Sequence, residues 1–235
     1  YIIDRPPLIS SITTTGNSLT NATSVTFAVQ FNEPVTGVDP ADFAPQASSG
    51  ILGASITGIS GSGSNWFVTA HSGTGDGVLG LSVVSNTIFD GSGQSLVLPA
   101  PTSQAFTIDK TVPTVTTRTP LDFTYTNAST VRFGFEFSEP IVGLDVSDFE
   151  VSNFGSVSGG FIVSVTGSGS SYVVTGNTGT GSGSYAIRLA TGAGFFDAAG
   201  NQGSTSTPGG AIYSIDRIAP SVVSVTPLDP SPTNL

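Results

Sequence analysis

Residues 21–43 of this chain recur at 127–149, 106 positions on, with Asn21, Ala22, Val25, Phe27, Phe31, Glu33, Pro34, Gly37, Asp39, Asp42 and Phe43 unchanged. The Gly-Ser-Gly-Ser run at 61–64 recurs at 167–170, Gly-Thr-Gly at 73–75 recurs at 179–181, and Phe89-Asp90 recurs as Phe196-Asp197. A third motif occurs three times, as Ile3-Asp4-Arg5-Pro6, Ile108-Asp109-Lys110 with Pro113, and Ile215-Asp216-Arg217 with Pro220. In each copy an apolar strand ends, an acid and a base follow, and a proline stiffens the chain. Self-similarity at a fixed period marks a repeat array, and this period is about the length of one small β-sandwich. The expected division is 1–5 as the end of a preceding repeat, 6–109 and 110–216 as two complete domains, and 217–235 as the start of a third repeat. Thr226 to Asp229 with Thr233-Asn234 repeats Thr119 to Asp122 with Thr126-Asn127, which supports that last assignment.

Within a repeat the apolar pattern has period two. Val25, Phe27, Val29 and Phe31 fall on one side, Thr26, Ala28 and Gln30 on the other, as in a half-buried strand. Val131, Phe133, Phe135 and Phe137 repeat the inward set. Strands are expected at 8–14, 24–32, from 43, and at 51–59, 65–70, 78–84 and 103–108. Glu33 to Asp42 and Asn86 to Pro99 read as loops, being rich in breakers. With 30 Gly, 15 Pro and few helix formers, the chain reads as all-β, two tandem immunoglobulin-like β-sandwich domains with partial flanking repeats. Trp66 and its mate Tyr172 read as packing residues, with a sugar-stacking platform as the alternative.

Six basic residues against sixteen acidic ones give a net charge of −10. Nucleic acid and anionic membrane surfaces, which need Lys and Arg, are disfavoured as partners. Carboxylates in this excess suit a hard cation such as calcium. With no cysteine, disulfides and thiolate metal sites are excluded. No apolar run approaches the ~20 residues of a membrane-spanning helix, so membrane insertion is not expected. The Ser/Thr/Gly-rich, Lys-poor composition suits a secreted or bacterial cell-surface protein.

The combination of Phe137-Ser138-Glu139-Pro140, Gly143 to Phe149, Asp197-Ala198-Ala199-Gly200-Asn201 and Ile215 to Pro220 resembles the bacterial Ig-like repeats of very large secreted surface proteins and adhesins. The resemblance covers nearly the whole chain. It implies tandem stalks, with neighbouring repeats of the same protein as partners and other copies of the chain as possible ones in a filament or matrix. It also implies calcium near the junctions. The first repeat departs from the pattern with Asn32, Pro40, Asp90 to Gln94 and Pro6, and a weaker site is expected there.

Acids recur at matched positions: Asp4, Glu33, Asp39, Asp42 and Asp90, then Asp109, Glu139, Asp145, Asp148 and Asp197, then Asp216. Sandwich topology brings the linker and two loops to the end where the chain comes in. The linker acid, the acids of the 33–42 loop and Asp90, with their second-repeat mates, should converge there. Like charges so gathered repel, and calcium, taking 6–8 oxygen ligands, would resolve the conflict. The rival reading pairs the acids with Arg5, Lys110 and Arg217, or uses Asp39 and Asp42 to cap a turn. No enzyme is expected: His71, the one histidine, is matched by Asn177 in the second repeat. The acceptor sequons Asn21-Ala22-Thr23 and Asn127-Ala128-Ser129 read as turns, with sugar attachment as the alternative. The functional expectation is a structural stalk, adhesin or filament segment. The alternatives are a glycan- or self-binding module and an accessory domain of a secreted hydrolase.

Overall fold

A computed structural model of the chain describes residues 4–210 and 212–226. Tyr1 to Ile3 and everything from Pro227 on, where parts of the expected flanking repeats fall, lie outside the described residues. The chain forms two tandem Ig-like β-sandwiches. In the first, β1 (Ile9–Thr14), β3 (Ser24–Phe31), β6 (Asn65–His71) and β5 (Ser55–Ser62) make one sheet, in the order β1-β3-β6-β5. Facing it are β2 (Leu19–Thr20), β8 (Phe106–Ile108), β7 (Gly77–Val83) and β4 (Phe43–Ala47), in the order β2-β8-β7-β4.

The second sandwich repeats the plan. Its first sheet runs β13 (Phe161–Ser168), β14 (Ser171–Asn177), β11 (Thr130–Phe137), β9 (Val115–Pro120), and its second β10 (Tyr125–Thr126), β16 (Tyr213–Ile215), β15 (Gly183–Leu189), β12 (Phe149–Gly155).

Strand β3 shows why the sequence folds this way. Val25, Phe27, Val29 and Phe31 are all buried, and the residues between them face outward or are half-covered. The same alternation in β11 buries Val131, Phe133, Phe135 and Phe137. Each sandwich has its own core, one drawn from Ile9 to Ile108 and the other from Val115 to Ile215. Both cores are keyed by one aromatic pair across the sheets. Phe27 meets Phe106 edge-on at 5.2 Å, and the equivalent Phe133 meets Tyr213 at 5.0 Å. Such contacts add to the burial of each ring, worth several kcal/mol on the order of a Phe-to-Ala cavity. Tyr213 also uses its hydroxyl: it donates to Arg132 O and accepts from the N–H groups of Leu121 and Asp122.

Two local details differ from the sequence expectation. The strand expected at 51–59 lies at Ser55–Ser62, because residues 51–54 close a bridge with the turn after β6. The two-residue β2 was not foreseen; it pairs in parallel with β8 and draws the chain back to the end where the next unit begins. The remaining strands sit within a few residues of their expected places.

Candidate metal centre at the joint

The two loops that carry the acids are stitched together by backbone bonds. In the first unit Thr36 and Phe89 exchange N–H···O bonds of 2.8 and 2.9 Å, and in the second Val142 and Phe196 do so at 2.8 and 3.0 Å. This bridge sets Asp90 beside Glu33, and Asp197 beside Glu139. Gly37 and Gly143 permit the fit, with φ of +81° and +88°. A Cβ at Gly37 would stand 2.8 Å from Thr87 O. The linker then adds the third acid. Carboxylate oxygens of Asp109, Glu139 and Asp197 lie within 4.8 Å of one another, as do those of Asp4, Glu33 and Asp90.

Six of the ten expected ligands are thus brought together and four are not. Asp39, Asp42, Asp145 and Asp148 shape the loop instead. Asp39 Oδ1 accepts from Ala41 N at 2.8 Å, while Asp42 Oδ2 accepts from Asp39 N at 2.9 Å. The other Asp42 oxygen accepts from the Thr87 hydroxyl at 2.6 Å. Asp145 and Asp148 make the same reciprocal box around a single 3-10 turn, and Asp148 Oδ1 takes the Gly194 N–H. These carboxylates satisfy backbone N–H groups that a short turn leaves without partners.

Two of the joint bases bond to oxygens other than the triads' carboxylates. Lys110 Nζ donates to the carbonyls of Asn21 and Ala22 at 3.1 and 3.3 Å. Arg217 donates to the carbonyls of Gly181 and Ala128 and to the Thr178 hydroxyl. Burial, together with the charges of Asp197, Asp109 and Asp76, pushes the Glu139 carboxyl above the usual glutamate range. Asp76 belongs to the turn before β7. Its carboxylate accepts from the Thr111 hydroxyl and the Lys110 N–H, bonds that hold it below the usual aspartate range. Its mate in the second unit is Ser182, which accepts from Arg217 N at 2.9 Å. Matching acids to acids between repeats therefore passes over Asp76.

The two triads differ at their buried aspartate. Asp197 is buried, with Oδ1 taken by the Gly200 and Asn201 N–H groups and Oδ2 by Asn201 Nδ2 at 2.8 Å. Asp90 is 5% exposed, and its Oδ1 is held by Ser92 and Gln94. Its Oδ2 is buried with no hydrogen-bond partner. Gln94 stands where the second unit has Asn201, and its amide turns to the Ser92 hydroxyl instead. His71, exposed at the end of β6, accepts from Gly73 N through Nδ1.

No family model matches the chain, and no curated protein matches it. Among solved structures it is similar to the Escherichia coli adhesin FdeC, at 18% identity over 92% of this chain and 66% of that one, with a TM-score of 0.45. It is also similar to the N-terminal part of the bacterial S-layer protein SbsC, at 16% identity over 89% of this chain and 44% of that one, with a TM-score of 0.32. A third likeness is to the Yersinia pseudotuberculosis adhesin InvE, at 11% identity over 89% of this chain and 60% of that one, with a TM-score of 0.33. The chain spans about two-thirds or less of the length of these matched chains.

Proposed function

We propose that the chain is a stiffened segment of a bacterial extracellular stalk, adhesin or filament. Its domains are spaced in line, divide near Asp109 and Asp216, and are held at each joint by one calcium ion. The observation that carries this reading is the carboxylate triad of linker acid, loop glutamate and buried aspartate, built twice from the same elements. The spacing suits the ion: ligands on opposite sides of calcium stand ~5 Å apart, twice the ~2.3–2.6 Å ligand distance. Asp90 Oδ2 has the orphaned lone pairs that such an ion would satisfy, since a buried carboxylate oxygen without a partner is costly. When bound, calcium supplies positive charge that offsets the repulsion within each triad. Asp4 and Asp109 come from the linkers, so the ion would tie linker to domain and remove hinge freedom.

Small-angle scattering on the whole chain tests this. Calcium should narrow the distribution of maximum dimensions and chelator should broaden it; identical profiles in both conditions would refute the stiffening. An adhesive reading has one observation in its favour. Phe123, 90% exposed, lines a shallow cleft of about 400 Å³ together with Pro120, Leu121 and Asp122. A glycan array that loses its signal in Phe123→Ala would support that reading, and a blank array would remove it.

A further inference from the structure

We infer that the joint between the two units carries, beside its carboxylate triad, an amide clasp that shares Asp197 with it, and that the second unit presents the receptor half of that clasp for a following Ig-like unit. The inference rests on the tandem-array reading above. At the joint between the two units, the hairpin Asp197 to Asn201 reaches back to the turn of the first unit that holds Asn21. Asn21 N donates to Ala199 O at 3.2 Å, and Asn21 Nδ2 donates to Asn201 Oδ1 at 3.2 Å. Asn201 Nδ2 in turn donates to Asp109 O at 2.9 Å. One amide side chain thus bridges the first unit, the linker and the buried Asp197. Gly200, at φ +96°, lies against the Asn21 side chain, where a Cβ would sit 3.7 Å from it.

The receptor turn is held ready by bonds that do not involve the second unit. The Thr20 hydroxyl accepts from Ala22 N at 3.1 Å, the Ser72 hydroxyl donates to Ala22 O at 2.7 Å, and Asp109 N donates to Thr20 O at 3.1 Å. Every one of these bonds has a counterpart in the second unit. The Thr126 hydroxyl accepts from Ala128 N at 3.0 Å, the Thr178 hydroxyl donates to Ala128 O at 2.7 Å, and Asp216 N donates to Thr126 O at 3.0 Å. Arg217 Nη2 secures Ala128 O at 3.0 Å, in the role Lys110 plays toward Ala22. Asn127, the mate of Asn21, sits at the tip of this turn and is exposed.

The insertion half is also built twice. In the hairpin Asp90 to Gln94, as in Asp197 to Asn201, the aspartate N–H donates to the fifth residue's carbonyl at 3.1 Å, and its Oδ1 accepts that residue's N–H at 2.8 Å. The occupant that fits Asn127 is therefore an Ig-like unit joined through the 217–226 segment, whose hairpin has Asp followed four residues on by Asn. Preorganisation of both halves limits the ordering cost of docking, and the short linker supplies a high effective concentration.

The test lengthens the whole chain by a copy of residues 129–216 placed after Leu235, which completes a third unit in register with Thr233-Asn234. In chelator, exchange of the Asn127 side-chain amide should slow by about tenfold or more relative to the 235-residue chain. Unchanged exchange beside a folded third unit would overturn the clasp while leaving the array reading intact. Free reorientation of folded units even with calcium would instead overturn the array reading. Asn21→Ala in the unextended chain decides the matter whether or not the added unit folds. In chelator, the residual dipolar couplings of the two units should share one alignment in the native chain and diverge in the variant, while both melting temperatures hold. A shared alignment that persists in Asn21→Ala overturns the clasp.

Discussion

Glu139→Gln should act in opposite directions with and without calcium. In the metal-free chain the Glu139 carboxylate lies within 4.8 Å of oxygens from Asp109 and Asp197. At that separation each pair of unit charges repels by about 3 kcal/mol at an effective dielectric of 20 and by about 1 kcal/mol in water. Glu139 is only half-buried, so the screened end of that range applies, and removing its charge should relieve ~1–2 kcal/mol. The sign follows from the direction of its shift. A glutamate raised above its unfolded value binds protons more readily when folded, so its penalty is absent at low pH and grows as pH rises from the unfolded glutamate range through the folded one. At pH 7 in chelator, Glu139→Gln should melt above wild type by roughly 4–8 °C for each kcal/mol relieved. In excess calcium the order should reverse. Wild type gains about 2.7 kcal/mol at a hundred times the dissociation constant, and the variant forfeits most of it. Calorimetric scans in the two buffers provide the assay. A variant that melts below wild type in chelator, or that keeps the full calcium gain, would refute the reasoning.

Asp145→Ala should cost about 1 kcal/mol through loss of a cap and leave calcium affinity within a few-fold, as titration of the variant would show. Phe133→Ala should lower the stability of the second unit by ~3–5 kcal/mol while the first melts as before, since the cores are separate. A single merged transition in that variant would contradict independent units. Asp90→Asn should remove one calcium equivalent and leave the joint between the units intact, measured by titration and by dipolar couplings.

Much of this arrangement was readable because the fold and the repeat impose the same periodicity. The alternation in β3 and β11 could satisfy only a sheet with one buried face, and the matched Phe27 and Phe133 marked that face twice. The linker acid, Glu33 or Glu139, and Asp90 or Asp197 converge because sandwich topology leaves their loops no other end to occupy. The Asp39-Asp42 and Asp145-Asp148 pairs were not separable from ligands by sequence. An acid that accepts backbone N–H groups and one that awaits a cation look alike until the turn is seen. Asp76 was hidden by the opposite problem: its place is kept by Ser182, which serves the same linker with a different group. The first repeat's departures suggested a weaker site. Gln94 in place of Asn201 leaves Asp90 Oδ2 without the amide that Asp197 has, a distinction of one side chain's reach.

Isothermal titration of the chelator-stripped chain with calcium tests the joint most directly. The triads at Asp4-Glu33-Asp90 and Asp109-Glu139-Asp197 predict two ions per chain, falling to one in Glu139→Gln. No heat of binding, or a stoichiometry untouched by that substitution, would contradict a metal-held joint.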